Sequence, residues 1–152
     1  MKPLLILWQR LVNSEGETCN RCSSTYGSLQ SAVSKLELAL APLGIEPILK
    51  IKEIDPAAFK NDPYASNRIW IADRPLEEWL NAKVGSSRCC TVCGDSNCRT
   101  VEMAGEVYES IPEELIVRSS LLAAAQLLAS KSDAVGEQNK SSECCPDESL
   151  SL

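Results

Sequence analysis

The sequence predicts an α/β domain, a sheet flanked by helices with a cysteine-rich loop inserted in its second half. Three observations predict it. The run Leu4-Leu5-Ile6-Leu7-Trp8 is apolar without interruption, as a buried strand is. Leu29, Val33, Leu36, Leu40 and Leu43 then recur at helical spacing. Ile45 to Ile54 follows, rich in β-branched residues, and reads as a second strand. Together they make a βαβ unit, whose crossover is right-handed as a rule. A chain of 152 residues has the length of one domain with one core.

In order, residues 4–12 form the first strand, central because it is apolar on both faces. Asn13 to Glu17, with Gly16, is a polar loop. The helix runs from about Cys22 to Leu40 and is ended by Pro42-Leu43-Gly44. Pro47 places the second strand at an edge, or lies near that strand's beginning. Asp55 to Tyr64 reads as a turn with a short helix or loop. Asn67-Arg68-Ile69-Trp70-Ile71 alternates as a third strand. Pro75 opens a short helix over 76–82, with Leu76, Trp79 and Leu80 inward. Arg99–Met103 and Val107–Glu109 flank Ala104-Gly105-Glu106 as a hairpin. Ser110-Ile111-Pro112-Glu113 has the capping-box pattern and opens a last helix to about Ser130, with Leu115, Ile116, Leu121, Leu122, Ala125 and Leu128 apolar. The expected organisation is a domain over 1–130, with a cysteine-rich loop at 85–98, and a disordered acidic tail over 131–152.

Charge and composition exclude several classes. Net charge is −6, and residues 133–152 supply most of it with five acids against one lysine. The remainder is near balance, without the basic stripe that nucleic acid requires. No stretch has the length of a membrane span. The first apolar run is too short for a secretory signal and leads into Gln9-Arg10, so a cytoplasmic location is expected. Glycine loops that cradle phosphate are absent, and the serines have no histidine partner. Glu77-Glu78 and Glu113-Glu114 read as exposed first-turn acids, and Trp8, Trp70 and Trp79 as core.

Eight cysteines and no histidine is the informative count. In a reducing compartment cysteines serve metal binding or catalysis more often than cross-linking. Without histidine there is no Cys–His dyad, and any metal must be held by thiolates. Thr18-Cys19-Asn20-Arg21-Cys22 puts two thiols where a strand hands over to a helix. Unpaired N–H groups and the positive end of the helix dipole favour thiolate there, and Arg21 adds positive charge. In the redox reading, the more exposed Cys19 attacks and Cys22 resolves the mixed disulfide. The second group is Cys89, Cys90, Cys93 and Cys98, with a tight turn at Gly94-Asp95. Three of its sulfurs plus one from elsewhere suit zinc, and the loop by itself suits another thiophilic ion. Cys144-Cys145, on the tail, would hand over a soft ion or a disulfide, or be incidental. A purely structural role for the cysteines is the third reading.

Strand, Cys-x-x-Cys, helix, strand, strand, hairpin and helix together resemble the thioredoxin-like fold. More narrowly, the chain resembles an uncharacterised prokaryotic thioredoxin-like family of unknown function over about residues 4–128. The matching stretches are Leu11 with Thr18 to Cys22, Pro42 to Ile45, Ser66 to Ile71, Pro75 to Leu80, Cys89 to Asp95, Arg99-Thr100 and Tyr108 to Pro112. The resemblance implies a fold and a dithiol site at Cys19 and Cys22. The chain departs from well-known thioredoxins in three places. No tryptophan precedes Cys19, Asn20-Arg21 replaces Gly-Pro, and Ser66 or Asn67 stands where a cis-proline is expected. These departures point away from a general reductase and towards a dedicated partner or thiophilic metal chemistry. The expected function is thiol–disulfide redox chemistry, with Cys90 and Cys93 as a second dithiol or thiolate metal site. The alternative is a soft metal or metalloid carrier using Cys89, Cys90, Cys93 and Cys98. The partner is accordingly a protein disulfide or thiol, or a soft ion.

Overall fold

A parallel pair of ten-residue strands, β1 (Lys2–Leu11) and β2 (Ile45–Ile54), is the frame on which the rest is hung. The structure, a computed structural model, describes residues 1–88 and 97–130. Helix α1 (Asn20–Leu40) is the crossover between the two strands. It turns its buried residues Leu29, Ala32, Leu36 and Leu40 inward. Val33 is half-buried and Leu43 exposed, so Ala32 takes a core position that the leucine spacing alone assigns to larger residues. A single 3-10 turn, Ala41–Leu43, ends at Gly44, whose φ of 67° is left-handed and whose carbonyl accepts from the Lys2 amide at 2.8 Å.

The sheet order is β2-β1-β3-β4, with β3 (Arg68–Ile71) antiparallel to β1 and β4 (Arg74–Pro75) antiparallel to β3. Strand β1 is therefore internal, as its two apolar faces require: Leu4, Ile6 and Trp8 are fully buried on one, with Leu5 and Leu7 half-buried on the other. Strand β2 is an edge. Its proline and its exposed Lys50, Lys52 and Glu53 suit that position, since proline lacks a ladder donor and charge discourages further pairing. Between β2 and β3, α2 (Pro56–Asn61) is capped by Asp55, whose carboxylate accepts from the Ala58 amide at 2.8 Å. The β3–β4 hairpin turns through Ala72 and Asp73, both left-handed, as a two-residue loop of this kind demands.

A second, separate sheet follows the short α3 (Leu76–Trp79): β5 (Lys83–Arg88), β6 (Asn97–Met103) and β7 (Glu106–Tyr108), all antiparallel. The expected hairpin is its β6–β7 half. Strand β5 is additional, and it absorbs Gly85 to Arg88, which read as loop because glycine and serine are poor strand formers. Helix α4 (Glu113–Ala129) packs on α1. Its buried face is small, with Ser119, Ser120, Ala123 and Ala124 beside Leu115 and Ile116, while Leu121, Leu122 and Ala125 are exposed. The expected capping box does not form. Pro112 is the N-cap without a side-chain bond, and Glu113 reaches across to Ser31 and Lys35 of α1. Those bonds, the one to Lys35 first, hold the Glu113 carboxyl below the ordinary carboxylate range.

The expectation of an exposed Glu77 is overturned. Glu77 is 8% exposed and forms an ion pair with Arg99, itself 4% exposed, on β6. Arg99 also donates to the Tyr64 carbonyl at 3.1 Å. This pair ties the second sheet to α3 and to the turn before β3. Trp79 is half-buried and donates to the Ile71 carbonyl at 2.8 Å, under Arg74 at 4.6 Å. Trp70 is also half-buried, with Arg68 over its ring at 4.6 Å. Of the three tryptophans, Trp8 alone is wholly core.

Removing one member of a buried ion pair leaves the other charged and unsolvated, at a cost of about 3 kcal/mol. Arg99→Ala should therefore lower unfolding free energy by about that amount in urea denaturation. A loss within about 0.5 kcal/mol, the range of ordinary surface substitutions, would mean that Glu77 is solvated or paired elsewhere.

Candidate functional site

The dithiol forms where β1 ends and α1 begins. The connecting loop is closed by Asn13, whose side-chain oxygen accepts from the amides of Glu15 and Glu17, both at 2.9 Å. Thr18 then donates its hydroxyl proton to the Leu11 carbonyl at 2.8 Å, fixing the chain one residue before the first cysteine. Cys19 is the extended N-cap residue of α1, and its carbonyl accepts from the Ser23 amide at 2.9 Å. Twenty-one helical residues stand behind it, with no acid in the first turn and no side-chain cap. The positive end of the helix is thus offset by no neighbouring carboxylate of its own first turn.

Cys22 lies one helical turn on. The two thiols are buried to nearly the same degree, Cys19 at 3% exposure and Cys22 at 1%, so exposure does not distinguish the attacking sulfur. The Cys22 thiol is held far above its ordinary value, first by the hydrogen bond it makes with Cys19, then by burial and by the charge on Cys19. The hydroxyls of Ser66 and Thr18 pull the other way. Ser66 Oγ lies 3.7 Å from Cys22 Sγ and is 1% exposed. The Cys22 thiol is thus raised, on balance, by its contact with Cys19 and by burial.

Ser66 is held in place from both sides. The Ala65 carbonyl accepts from Gln9 Nε2 at 2.8 Å, and Asn67 Oδ1 accepts from Trp8 Nε1 at 3.0 Å. Asn67 takes a left-handed φ of 57°, which asparagine tolerates better than most residues. Trp8 stacks on Tyr26 of α1, centroids 5.5 Å apart and planes 5° from parallel. Thr25 accepts from the Ile111 amide at 3.0 Å, joining α1 to the approach of α4.

Arg21, expected to add charge beside the thiols, is directed elsewhere. Its guanidinium donates to Ser87 Oγ at 2.8 Å, the Arg88 carbonyl at 2.6 Å and Glu109 Oε1 at 3.0 Å. Ser87 also donates to Glu109 at 3.1 Å. Arg21, one of the two residues between the cysteines, therefore grips the end of β5, immediately before Cys89 in the sequence. Cys98 is the described member of the second group. It is buried on β6 opposite Ser87, and directly paired residues of antiparallel strands share a face, so Cys98 lies on the face of Ser87. Cys89, Cys90 and Cys93 fall outside the described residues, as do Cys144, Cys145 and the 131–152 tail. Among the described residues no three Cys, Asp or Glu cluster closely enough to hold a metal ion.

Sequence reasoning marked Cys19 and Cys22 but assigned no role to Ser87 or Glu109 and none to Ser66 beyond its place before the third strand. That place, where the resemblance expected proline, was the signal available for Ser66. A family model described as a domain of unknown function (DUF2703) matches residues 4–120. The chain belongs to this family. An uncharacterized protein of Archaeoglobus fulgidus is 42% identical over 113 residues, covering 74% of this chain and 82% of that protein. No solved structure matches the chain. The DUF2703 match includes Cys19, Cys22, Ser66 and the second cysteine group, and stops short of the tail pair. Among the described residues of this DUF2703 protein no helix is long and apolar enough to cross a membrane.

The raised Cys22 thiol makes stability depend on alkaline pH. Its ordinary value is 9.0, and the folded value lies above it. Below the ordinary value both states hold the proton and the contribution is fully present. Above it the unfolded chain releases a proton that the folded chain keeps, so stability falls as pH rises. Under reducing conditions, unfolding free energy should decline between about pH 9 and 10 by about 1 kcal/mol per pH unit more in the wild-type protein than in Cys22→Ala. Parallel declines in urea titrations would show that Cys22 ionises as readily folded as unfolded.

Proposed function

We propose that the protein is a thiol–disulfide redox protein of thioredoxin-like fold, with Cys19 as nucleophile and Cys22 as resolving thiol. The observation that carries this reading is the placing of the pair, Cys19 as the N-cap residue of α1 and Cys22 one turn on and hydrogen-bonded to it. That bond and burial raise the Cys22 thiol, which suits Cys19, at the positive end of the helix, to be the sulfur that carries charge. The βαβ unit with its dithiol at the helix start, the antiparallel β3–β4 addition and the closing α4 support the thioredoxin-like assignment.

In the reaction, Cys19 thiolate attacks one sulfur of a partner disulfide and expels the other as thiolate. Cys22 then loses its proton and attacks Cys19 Sγ, releasing the second partner sulfur. The dithiol has given two electrons and become a Cys19–Cys22 disulfide, and an external dithiol reductant restores it. A reducing compartment, the cytoplasm, is where such a pair is kept ready.

The second reading, a soft metal or metalloid carrier, is favoured by Arg21. It holds the carbonyl of Arg88, the residue before Cys89 in the sequence, beside the dithiol helix. In that reading Cys89, Cys90, Cys93 and Cys98 bind zinc or another thiophilic ion. In the redox reading, Cys90 and Cys93 form the relay dithiol.

Trapping separates redox chemistry from both other roles. Cys22→Ser should accumulate a stable adduct on Cys19 with a small aromatic disulfide, and Cys19→Ser should lose turnover of that disulfide by at least about a hundredfold. A Cys19→Ser protein that turned it over at the wild-type rate would remove the redox reading.

A further inference from the structure

An inference that rests on the redox reading concerns the hydroxyl beneath the resolving thiol. Among the described residues, the Ser66 hydroxyl has one side-chain hydrogen-bonding partner, Cys22 Sγ at 3.7 Å. The site is built to hold it there, since Gln9 anchors Ala65 and Trp8 anchors Asn67, both side chains projecting from β1. A hydroxyl buried to 1% exposure against a sulfur is a weak arrangement while that sulfur is a neutral thiol. It becomes a strong one when the sulfur is an anion, because hydrogen bonds to charged groups are about twice as strong.

The redox cycle creates that anion at one step. Once Cys19 is bonded to a partner sulfur it carries no charge, and the Cys22 proton must leave before Cys22 can attack. The sulfur that loses it is buried. Two hydroxyls bear on it, and Thr18 already gives its single proton to the Leu11 carbonyl at 2.8 Å. Ser66 is the donor that remains.

We propose that Ser66 is a catalytic residue of the second half-reaction, donating a hydrogen bond to the Cys22 thiolate as it attacks Cys19 Sγ. The Cys22–Cys19 bond forms and the bond from Cys19 to the partner sulfur breaks. The Cys22 proton passes to solvent, the electron pair leaves on the partner sulfur, and that sulfur takes a proton back from solvent. Ser66 keeps its own proton throughout. It therefore sets the lifetime of the mixed disulfide and leaves the first attack, which does not ionise Cys22, unaffected.

The full-length reduced wild type, Ser66→Ala and Ser66→Thr are mixed with dipyridyl disulfide and quenched in acid at successive times. Peptide mass spectrometry then follows the Cys19 adduct and the Cys19–Cys22 disulfide separately, so reactions at the other six cysteines do not interfere. The adduct should form at the wild-type rate in both variants. Its conversion to the internal disulfide should slow about tenfold in Ser66→Ala, with its pH dependence moved upward, and stay near wild type in Ser66→Thr. Conversion at the wild-type rate in Ser66→Ala overturns the proposal. Equal slowing of both steps also overturns it, because it assigns Ser66 to packing alone. A wild-type protein that forms the adduct but never the Cys19–Cys22 disulfide removes the dithiol reading itself, and Ser66 with it.

Discussion

The hydrogen bond from the Trp8 indole to Asn67 Oδ1 is the constraint on which the site depends. Trp8 is completely buried on the central strand, and a buried indole N–H without an acceptor costs about 1–3 kcal/mol. Asn67, the residue before β3, supplies that acceptor. Meeting the demand puts Asn67 in a left-handed conformation and sets Ser66, the preceding residue, against Cys22. The other face of the same tryptophan problem is solved by Tyr26, which stacks on the ring from α1. One buried aromatic thus aligns the central strand, the dithiol helix and the segment that faces the thiols.

The consequences extend to the second sheet. Asn67 Nδ2 donates to the Glu109 carbonyl at 3.4 Å, while the Glu109 carboxylate receives both Arg21 and Ser87. Arg21 is one of the two residues between the cysteines, and Ser87 stands two residues before Cys89. The polar connections therefore run from Trp8 through Asn67 and Glu109 to the threshold of the second cysteine group. Arg21 is mostly buried and Glu109 mostly exposed, so this pair contributes position more than energy. The buried Glu77–Arg99 pair docks the same sheet from its other side. Between them, the two ion pairs fix where β5 ends and β6 begins with respect to α1 and α3.

Much of this was legible in the sequence, for identifiable reasons. The periods of β1, α1 and β2 are long and uninterrupted, and their ends fell within two residues of expectation, because Gly44 and the polar Asn13–Glu17 loop punctuate them. The location of Cys19 and Cys22 followed from the same boundaries. Strand β5 was hidden because Gly85-Ser86-Ser87 lacks both periodicity and β-branched residues. Glu77 read as exposed because its local context is a helix start, whereas its partner Arg99 is 22 residues away. Ser66 and Cys22 are 44 residues apart, and Arg21 and Glu109 are 88 apart. Contacts at such separations leave no local pattern. Nor does α4 advertise that its small residues, not Leu121 and Leu122, face inward, since serine and alanine carry little hydrophobic signal of their own.

The account stands on Cys19 and Cys22 acting as one two-electron couple, and the most direct measurement is a disulfide map at controlled potential. Full-length protein is equilibrated in thiol–disulfide buffers of graded ratio, its remaining thiols are blocked, and every linkage is identified by mass spectrometry. The account predicts that a Cys19–Cys22 disulfide appears cooperatively as the buffer becomes more oxidising, with two electrons per transition. If Cys19 and Cys22 stayed reduced while other cysteines paired, or each paired with a different cysteine, the dithiol at the head of α1 would not be the protein's redox centre.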